Sequence, residues 1–194
     1  MRIYTDGQVT ITANEVLLMM KLIRTKVAVL AALFALTILQ PTSATMKPGV
    51  QYPEGTTVST PGAGATFTIP KGWSGMLPSG TTFFVMGSPA KKSYIFVQVE
   101  RMTASEAVEN MTKPIALGGG MSLIPVGKIR IENKTLIGDY SVEGGKEPLK
   151  GYIEARRSDG GLAVRYIAIS APETAAGVRD VVHKLIEETT LDKL

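Results

Sequence analysis

The sequence predicts an α+β domain: an antiparallel β-sheet of about five to seven strands flanked by helices, preceded by a signal-peptide helix. Three observations lead to this prediction. Several short segments alternate apolar and polar residues and are separated by turn residues. Two other segments carry apolar residues at helical spacing behind capping residues. A short apolar run near the amino terminus follows positively charged residues.

The strand segments follow one another with short connections, which predicts antiparallel pairing. Between Tyr94 and Arg101, for example, Ile95, Val97 and Val99 share one face of the segment. Asp159-Gly160 suits a tight primed turn between the last two strands. The predicted strands are residues 65–70, 81–87, 94–101, 128–132, 136–143, 149–157 and 162–170.

Two helices are predicted between these strands. The first begins at Thr103, where Glu106 completes a capping box, and extends to about Ala116 before a glycine run that serves as a flexible exit. The second begins after Ser170, with Glu173 three residues later. Its apolar stripe must lie on the sheet and consists of Val178, Val181, Val182, Leu185 and Ile186.

The amino-terminal segment has the pattern of a secretory signal that starts at Met20. Its apolar run, Val27–Leu39, would form about 20 Å of helix, whereas a bilayer core is about 30 Å thick. The run is therefore too short to be an obvious anchor, although an uncleaved membrane anchor stays open. The positive residues before it are Lys21, Arg24 and Lys26.

Cleavage is expected between Ala44 and Thr45, because small residues precede this bond. The protein is then expected to be exported, to the periplasm or outside the cell. The predicted organisation is an over-extended N-terminus at 1–19, a signal peptide at 20–44, a flexible tether at 45–64 and a single domain at 65–194.

Composition limits the function classes. The formal charge of +4 in 194 residues is too small for the dense basic stripe that nucleic acids require. The chain has no cysteine, so disulfides and thiol catalysis are excluded. It has one histidine, whereas zinc sites normally use several histidines or cysteines. We therefore expect no catalytic residue, no cofactor and no metal.

Some residues are nevertheless candidates for chemistry. His183 and Ser74 would serve a hydrolase, but His183 sits beside the apolar stripe and is expected at the surface. Three acidic residues, Glu143, Glu147 and Glu154, could converge across a hairpin, but their positions on the strands predict that they face solvent.

The basic pairs Lys91-Lys92 and Arg156-Arg157 could form a surface for a partner. An apolar cavity for a small ligand or lipid is an alternative, because methionine adapts to irregular contents. The residues that would line it are Phe83, Phe84, Met86, Met102, Met111 and Met121.

Several of these features together resemble the PsbP-like family, which includes the PsbP subunit of photosystem II and DcrB-type bacterial envelope proteins. The residues that carry the resemblance are Phe67-x-Ile69-Pro70-x-Gly72-Trp73, the strand 82–85, the helix at Ser105-Glu106, the Pro125-x-Gly127 turn and the closing strand and helix. The resemblance implies an α/β/α sandwich that is usually non-catalytic and binds another macromolecule.

From these observations we expect an exported, non-catalytic envelope protein that binds a protein partner. A periplasmic carrier of a small ligand or lipid is the first alternative, and an unrecognised hydrolase is the second. A membrane contact is expected only through an uncleaved signal.

Overall fold

A computed structural model describes residues 43–60 and 64–191. Residues 1–19 and most of the predicted signal peptide lie outside the described residues. The strands are β1 (Ser43–Thr45), β2 (Gln51–Tyr52), β3 (Thr57–Ser59), β4 (Ala65–Thr68), β5 (Ser74–Met76), β6 (Phe83–Ser88), β7 (Ser93–Arg101), β8 (Ile115–Gly118), β9 (Met121–Glu132), β10 (Thr135–Glu143), β11 (Lys150–Arg157), β12 (Leu162–Ser170) and β13 (Thr190–Leu191). The helices are α1 (Ala104–Thr112), α2 (Ala175–Glu188) and the 3-10 turn Pro89–Lys91.

Nine strands form one antiparallel sheet in the order β2-β5-β6-β7-β12-β11-β10-β9-β8. The strands predicted at 128–132 and 136–143 form a hairpin across Asn133 and Lys134, and both of these residues have positive φ, 48° and 67°, as a primed two-residue turn requires. The predicted hairpin between β11 and β12 is also confirmed, with Arg157 opposite Ala163. The primed turn predicted at Asp159-Gly160 is wrong, because Gly161 is the residue of this loop that has a positive φ. These short connections place β9, β10, β11 and β12 side by side.

A second sheet has the order β1-β3-β4-β13 and contains one parallel pair, β1 with β3. Residues 45–64, which the sequence predicts to be a tether, contribute β2 and β3 to the two sheets. Tyr52 and Val58 from this stretch are buried in the core. Strands of two or three residues are too short to show alternation, which is why this stretch has no strand pattern.

The large sheet separates two hydrophobic cores. The first lies between the sheet and α2, and the small sheet contributes Val58 and Phe67 to it. The second lies under α1, which contributes Ala107 and Met111. The predicted apolar stripe of α2 is confirmed. Val181 is partly buried, and the other four residues of the stripe are buried. Among the described residues, no helix is long and apolar enough to cross a membrane.

The predicted fold class is wrong in its balance of strands and helices. The described residues form 13 strands in two sheets, one of nine strands, with two α-helices. We expected five to seven strands flanked by helices. The missed strands are the short ones, including β2, β5 and β8, whose two to four residues carry too little pattern to be recognised.

Both helices are shorter than predicted. The capping box of Thr103 and Glu106 is confirmed, but α1 ends at Thr112. Pro114 explains this end, because the residue before a proline avoids the helical region and Lys113 is extended, with ψ 154°. The following residues form β8 and a glycine turn instead of a helix exit. Helix α2 begins only at Ala175, and its cap residue Thr174 makes no side-chain capping bond.

The core contains three tyrosines whose pKa is raised by burial. Burial raises the pKa of Tyr140 to about 12, and it raises the pKa of Tyr152 and of Tyr166 further. The hydroxyl of Tyr140 donates to the carbonyl of Met111 at 2.6 Å, and that of Tyr166 lies 2.6 Å from Thr189 Oγ1.

We predict that stability falls in alkaline solution. The unfolded tyrosines lose their protons near pH 10, whereas the native ones hold them to higher pH. The neutral phenols therefore contribute fully below pH 10, and this contribution is lost as the pH rises through the folded pKa. For the fully buried Tyr166, the free energy of unfolding should fall by about 1.4 kcal/mol per pH unit above pH 10. Urea titrations from pH 8 to 11.5 should show a shallower fall for Tyr166→Phe, and an unchanged slope would contradict the assignment.

A pair of glycine substitutions tests the packing. A Cβ at Gly75 would lie 2.3 Å from Cε1 of the buried Phe84. Gly75→Ala should therefore lower the free energy of unfolding by about 1–3 kcal/mol through overpacking. Gly177 lies in α2 with nothing within 4 Å of a Cβ. As the matched control, Gly177→Ala should raise stability by about 0.4–1 kcal/mol. Equal urea midpoints for the two variants would show that the sheet is packed differently.

Candidate binding surface at the β9 edge and helix α2

Strand β11 carries a fully buried carboxylate, that of Glu154. The sequence-based prediction that Glu154 faces solvent is wrong. Alternation along β11 does place Glu154 on the other face of the sheet from Ile153 and Ala155, which belong to the core under α1. The face that Glu154 shares with Tyr152 is not open, however, because α2 covers it.

The Glu154 carboxylate is satisfied by two neighbouring side chains. The hydroxyl of Tyr152 donates to Glu154 Oε1. Nδ1 of His183 lies 3.3 Å from Oε1 and 3.4 Å from Oε2. Such partners are required, since a buried charge without them costs several kcal/mol, on the order of 3–5. Burial, and after it the hydrogen bond with Glu154, raises the pKa of Tyr152.

This polar network continues from α2 to β9. The guanidinium of Arg179 lies 4.9 Å from the ring centroid of Tyr152, a cation–π distance, and also pairs with Asp139. Asp139 Oδ2 lies 3.6 Å from Arg130 on β9. Arg130 Nε in turn lies 3.4 Å from Glu132. This network thus links α2 to the strands β11, β10 and β9 through charges that alternate in sign.

Two clefts flank this network. One, of about 360 Å³, lies between the β9–β10 turn and α2, and its lining includes Glu132, Arg156, His183 and Glu187. The other, of about 510 Å³, lies near the start of α2, and its lining includes Val126 and Arg179. Both clefts are lined by charged and apolar residues together, and both open beside β9 and β10.

The outer edge of β9 is the most unusual part of this region. In the described part of the chain, β8 pairs with β9 only through Met121, Ser122 and Leu123. The rest of β9, Ile124–Glu132, has β10 on one side and no strand from the described residues on the other. We call this stretch the β9 edge. It exposes two large apolar side chains, Val126 at 55% and Ile131 at 68%.

The β9 edge is shaped by an irregularity in its pairing with β10. Val126 lies opposite Asp139 and Arg130 lies opposite Ile137, so β9 has more residues than β10 in this interval. Gly127, with φ 78°, adopts the left-handed conformation that the bulge requires and that glycine accepts readily. The register is regular again from Arg130 to Glu132.

The predicted partner residues do not form one patch. Lys91 and Lys92 lie at the β6–β7 turn, next to Ser93. Arg156 lies opposite Val164, which itself pairs with Val99. Ser93 and Val99 are six residues apart on one strand, a distance of about 20 Å.

Arg156 and Arg157 also point to opposite faces and are used within the chain. Arg156 donates to the carbonyl of Glu187 at 3.3 Å and to that of Thr189. Arg157 Nε donates to the carbonyl of Met102 at 2.8 Å. Both guanidinium groups therefore hold parts of the fold in place.

The residues considered for a hydrolase are separated in the fold. Ser74 lies on β5 and accepts a hydrogen bond from Gln51 at 3.4 Å. His183 lies over β11, which is four strand positions from β5 in the sheet, or about 19 Å. His183 Nε2 also lies 3.4 Å from Glu187, so each ring nitrogen of this histidine faces a carboxylate.

The residues considered for a carrier cavity are divided between the two cores. Phe84 and Met86 belong to the core under α2, and Met111 belongs to the core under α1. Met111 also contacts the sheet from the opposite face. Within residues 43–60 and 64–191, no group of three histidine, cysteine or acidic residues could hold a metal ion.

Sequence reasoning missed both Glu154 and the β9 edge. For Glu154, the sequence feature that could have shown its burial was the apolar stripe of α2. A helix with such a stripe must cover one face of the sheet, next to the last hairpin. For the edge, it was Pro125, because proline cannot donate to a strand on that side and is typical of edge strands. Neither signal says which strand of the sheet it concerns, so the topology was needed.

Comparisons with known proteins support the fold. No protein-family model matches the sequence, and no curated protein matches it. Among solved structures, the chain is similar to the solution structure of cyanobacterial PsbP (CyanoP) from Synechocystis sp.. The TM-score is 0.51 at 12% sequence identity, and the match covers 74% of this chain and 92% of that chain. At this identity the similarity concerns the fold alone. The chain therefore has a PsbP-like fold, as the sequence motifs indicated.

Proposed function

We propose that this chain is an exported accessory protein without catalytic activity, and that it binds a protein partner through the β9 edge. One observation carries the proposal: Ile124–Glu132 has a strand on one side only, within the described residues, and exposes Val126 and Ile131. Most proteins cover or interrupt such an edge, because its free main-chain groups attract other strands.

An extended protein segment fits this surface better than a small ligand does. A strand added to a sheet edge gains main-chain hydrogen bonds along its length, and alternate side chains give specificity. Val126 and Ile131 would contact the side chains of the added strand. The two clefts beside the edge are open and partly charged, whereas small-ligand sites are usually enclosed and mainly apolar.

The arrangement of His183 supports the absence of catalysis. A general base needs a ring nitrogen that can take a proton from a substrate or nucleophile. Here Nδ1 faces Glu154 and Nε2 faces Glu187, and Ser74 lies on a distant strand. The resemblance noted in the sequence points in the same direction, because it implies a family that usually acts by binding.

Export is proposed from the leader sequence. A cut after Ala44 would leave Thr45 as the first residue of the mature protein and would remove most of β1. Because β3 also pairs with β4, the small sheet does not depend on β1. The core residues Tyr52 and Val58 would stay in the mature chain.

Site-specific photo-crosslinking in the exporting cells tests the proposal. A photoreactive phenylalanine analogue replaces Ile131 on the β9 edge or, as control, Val108 on α1, which is also exposed, at 36%. We expect a discrete protein adduct in the envelope or secreted fraction from position 131 and none from position 108. The purified adduct should yield a single partner by mass spectrometry.

Two results would contradict the proposal. Position 131 could give no adduct above that of position 108, which would mean that the β9 edge binds no protein. The full-length chain with residues 20–44 still attached could be found in the cytosol, which would refute export.

A further inference from the structure

The main-chain groups of Ile131 point away from the protein. In a hairpin closed by a two-residue turn, the residues that flank the turn, here Glu132 and Thr135, form a hydrogen-bonded pair. Pairs alternate along the hairpin, so Arg130 also bonds to β10, opposite Ile137. The N–H and C=O of Ile131 therefore face the open side of the β9 edge.

The side chains around Ile131 are complementary to those of a second copy of the same strand. In an antiparallel pairing of two identical strands about Ile131, this residue faces its own copy, and Arg130 of each strand faces Glu132 of the other. Opposite charges that face each other across strands stabilise a sheet, whereas like charges destabilise it. The symmetric pairing would form two such charge pairs and would remove both exposed isoleucines from water.

Other registers are less favourable. A pairing about Arg130 would also form two opposite-charge pairs, Lys128 with Glu132, but it would place two arginines directly opposite each other. A pairing about Ile129 would place Lys128 opposite Arg130. Like charges in these positions oppose pairing. Arg130 and Glu132 already lie 3.4 Å apart within one chain, and both are more than half exposed. Exchanging this contact for an equivalent one between chains costs little, because exposed ion pairs are weak.

We propose that the partner of the β9 edge is a second copy of this chain, paired antiparallel about Ile131. This inference rests on the proposed function, since it names the protein that occupies the same edge. The two-fold pairing joins two nine-stranded sheets edge to edge through a short contact. A short contact gives a weak dimer that forms only as the protein concentration rises.

A charge-exchange experiment tests the pairing. In Glu132→Arg, both positions beside Ile131 are positive, and in Arg130→Glu both are negative. Sedimentation should show a concentration-dependent dimer for the unchanged protein and a dissociation constant at least tenfold higher for each variant alone. Mixing the two variants should restore association, because every facing pair is then opposite in charge. Since restoration needs both variants folded, it excludes misfolding as the cause.

Cysteine scanning tests the register. The chain has no cysteine, so a single introduced thiol can only link two copies. Ile131→Cys should form a disulfide dimer under mild oxidation, because facing Cα atoms in a strand pair lie about 4.5–5.5 Å apart. Val108→Cys is the matched control and should stay reduced at the same concentration. Faster linkage of Arg130→Cys than of Ile131→Cys would overturn the proposed register.

The outcomes separate this inference from the proposed function. A protein that sediments as a monomer at all concentrations and gives no disulfide at position 131 would overturn the second copy as partner. If the photo-crosslink at position 131 then contained a different protein, the proposed function would stand. If it contained nothing, both would fail.

Discussion

The structure depends on one constraint, which is that the main-chain N–H and C=O groups of the strand at the edge of a sheet need hydrogen-bond partners. Every N–H and C=O group that leaves water needs a partner, and an exposed edge offers these groups to any other strand. In the described residues, β8 covers the first part of β9 and then stops. The bulge at Gly127 bends the remaining strand away from regular pairing, and Arg130 to Glu132 returns to it. The surface that we propose for binding is therefore a direct result of how this sheet ends.

A network of side chains beside α2 connects this edge to the core. Arg130 contacts Asp139, Asp139 contacts Arg179, and Arg179 lies on Tyr152, which donates to the buried Glu154. The partners of Glu154 come from β11 and α2, so the helix cannot leave the sheet without breaking the contact between Glu154 and His183. Ion pairs that are individually weak at the surface thus connect the edge to a part of the core that is difficult to rearrange.

The sequence predicted most of the long elements and failed on the short ones, and of the longest strand, β9, it predicted only residues 128–132. Strands β7, β10, β11 and β12 have eight or nine residues, enough for alternation to appear. Strand β5 has three residues, which are too few for alternation to be recognised. Glu154 was misjudged because alternation assigns it to a face without saying whether that face is covered. The β9 edge could not be predicted because an edge is a property of strand order, and strand order depends on contacts between distant residues.

Hydrogen exchange at individual amides of β9 tests the central claim most directly. In dilute protein, the amide of Arg130 should be protected by its bond to β10, whereas that of Ile131 should exchange quickly. As the protein concentration rises, the account predicts that exchange at Ile131 slows while that at Arg130 changes little. An Ile131 amide that is already as protected as Arg130 in dilute solution would contradict the account, because the β9 edge would then be occupied within the single chain.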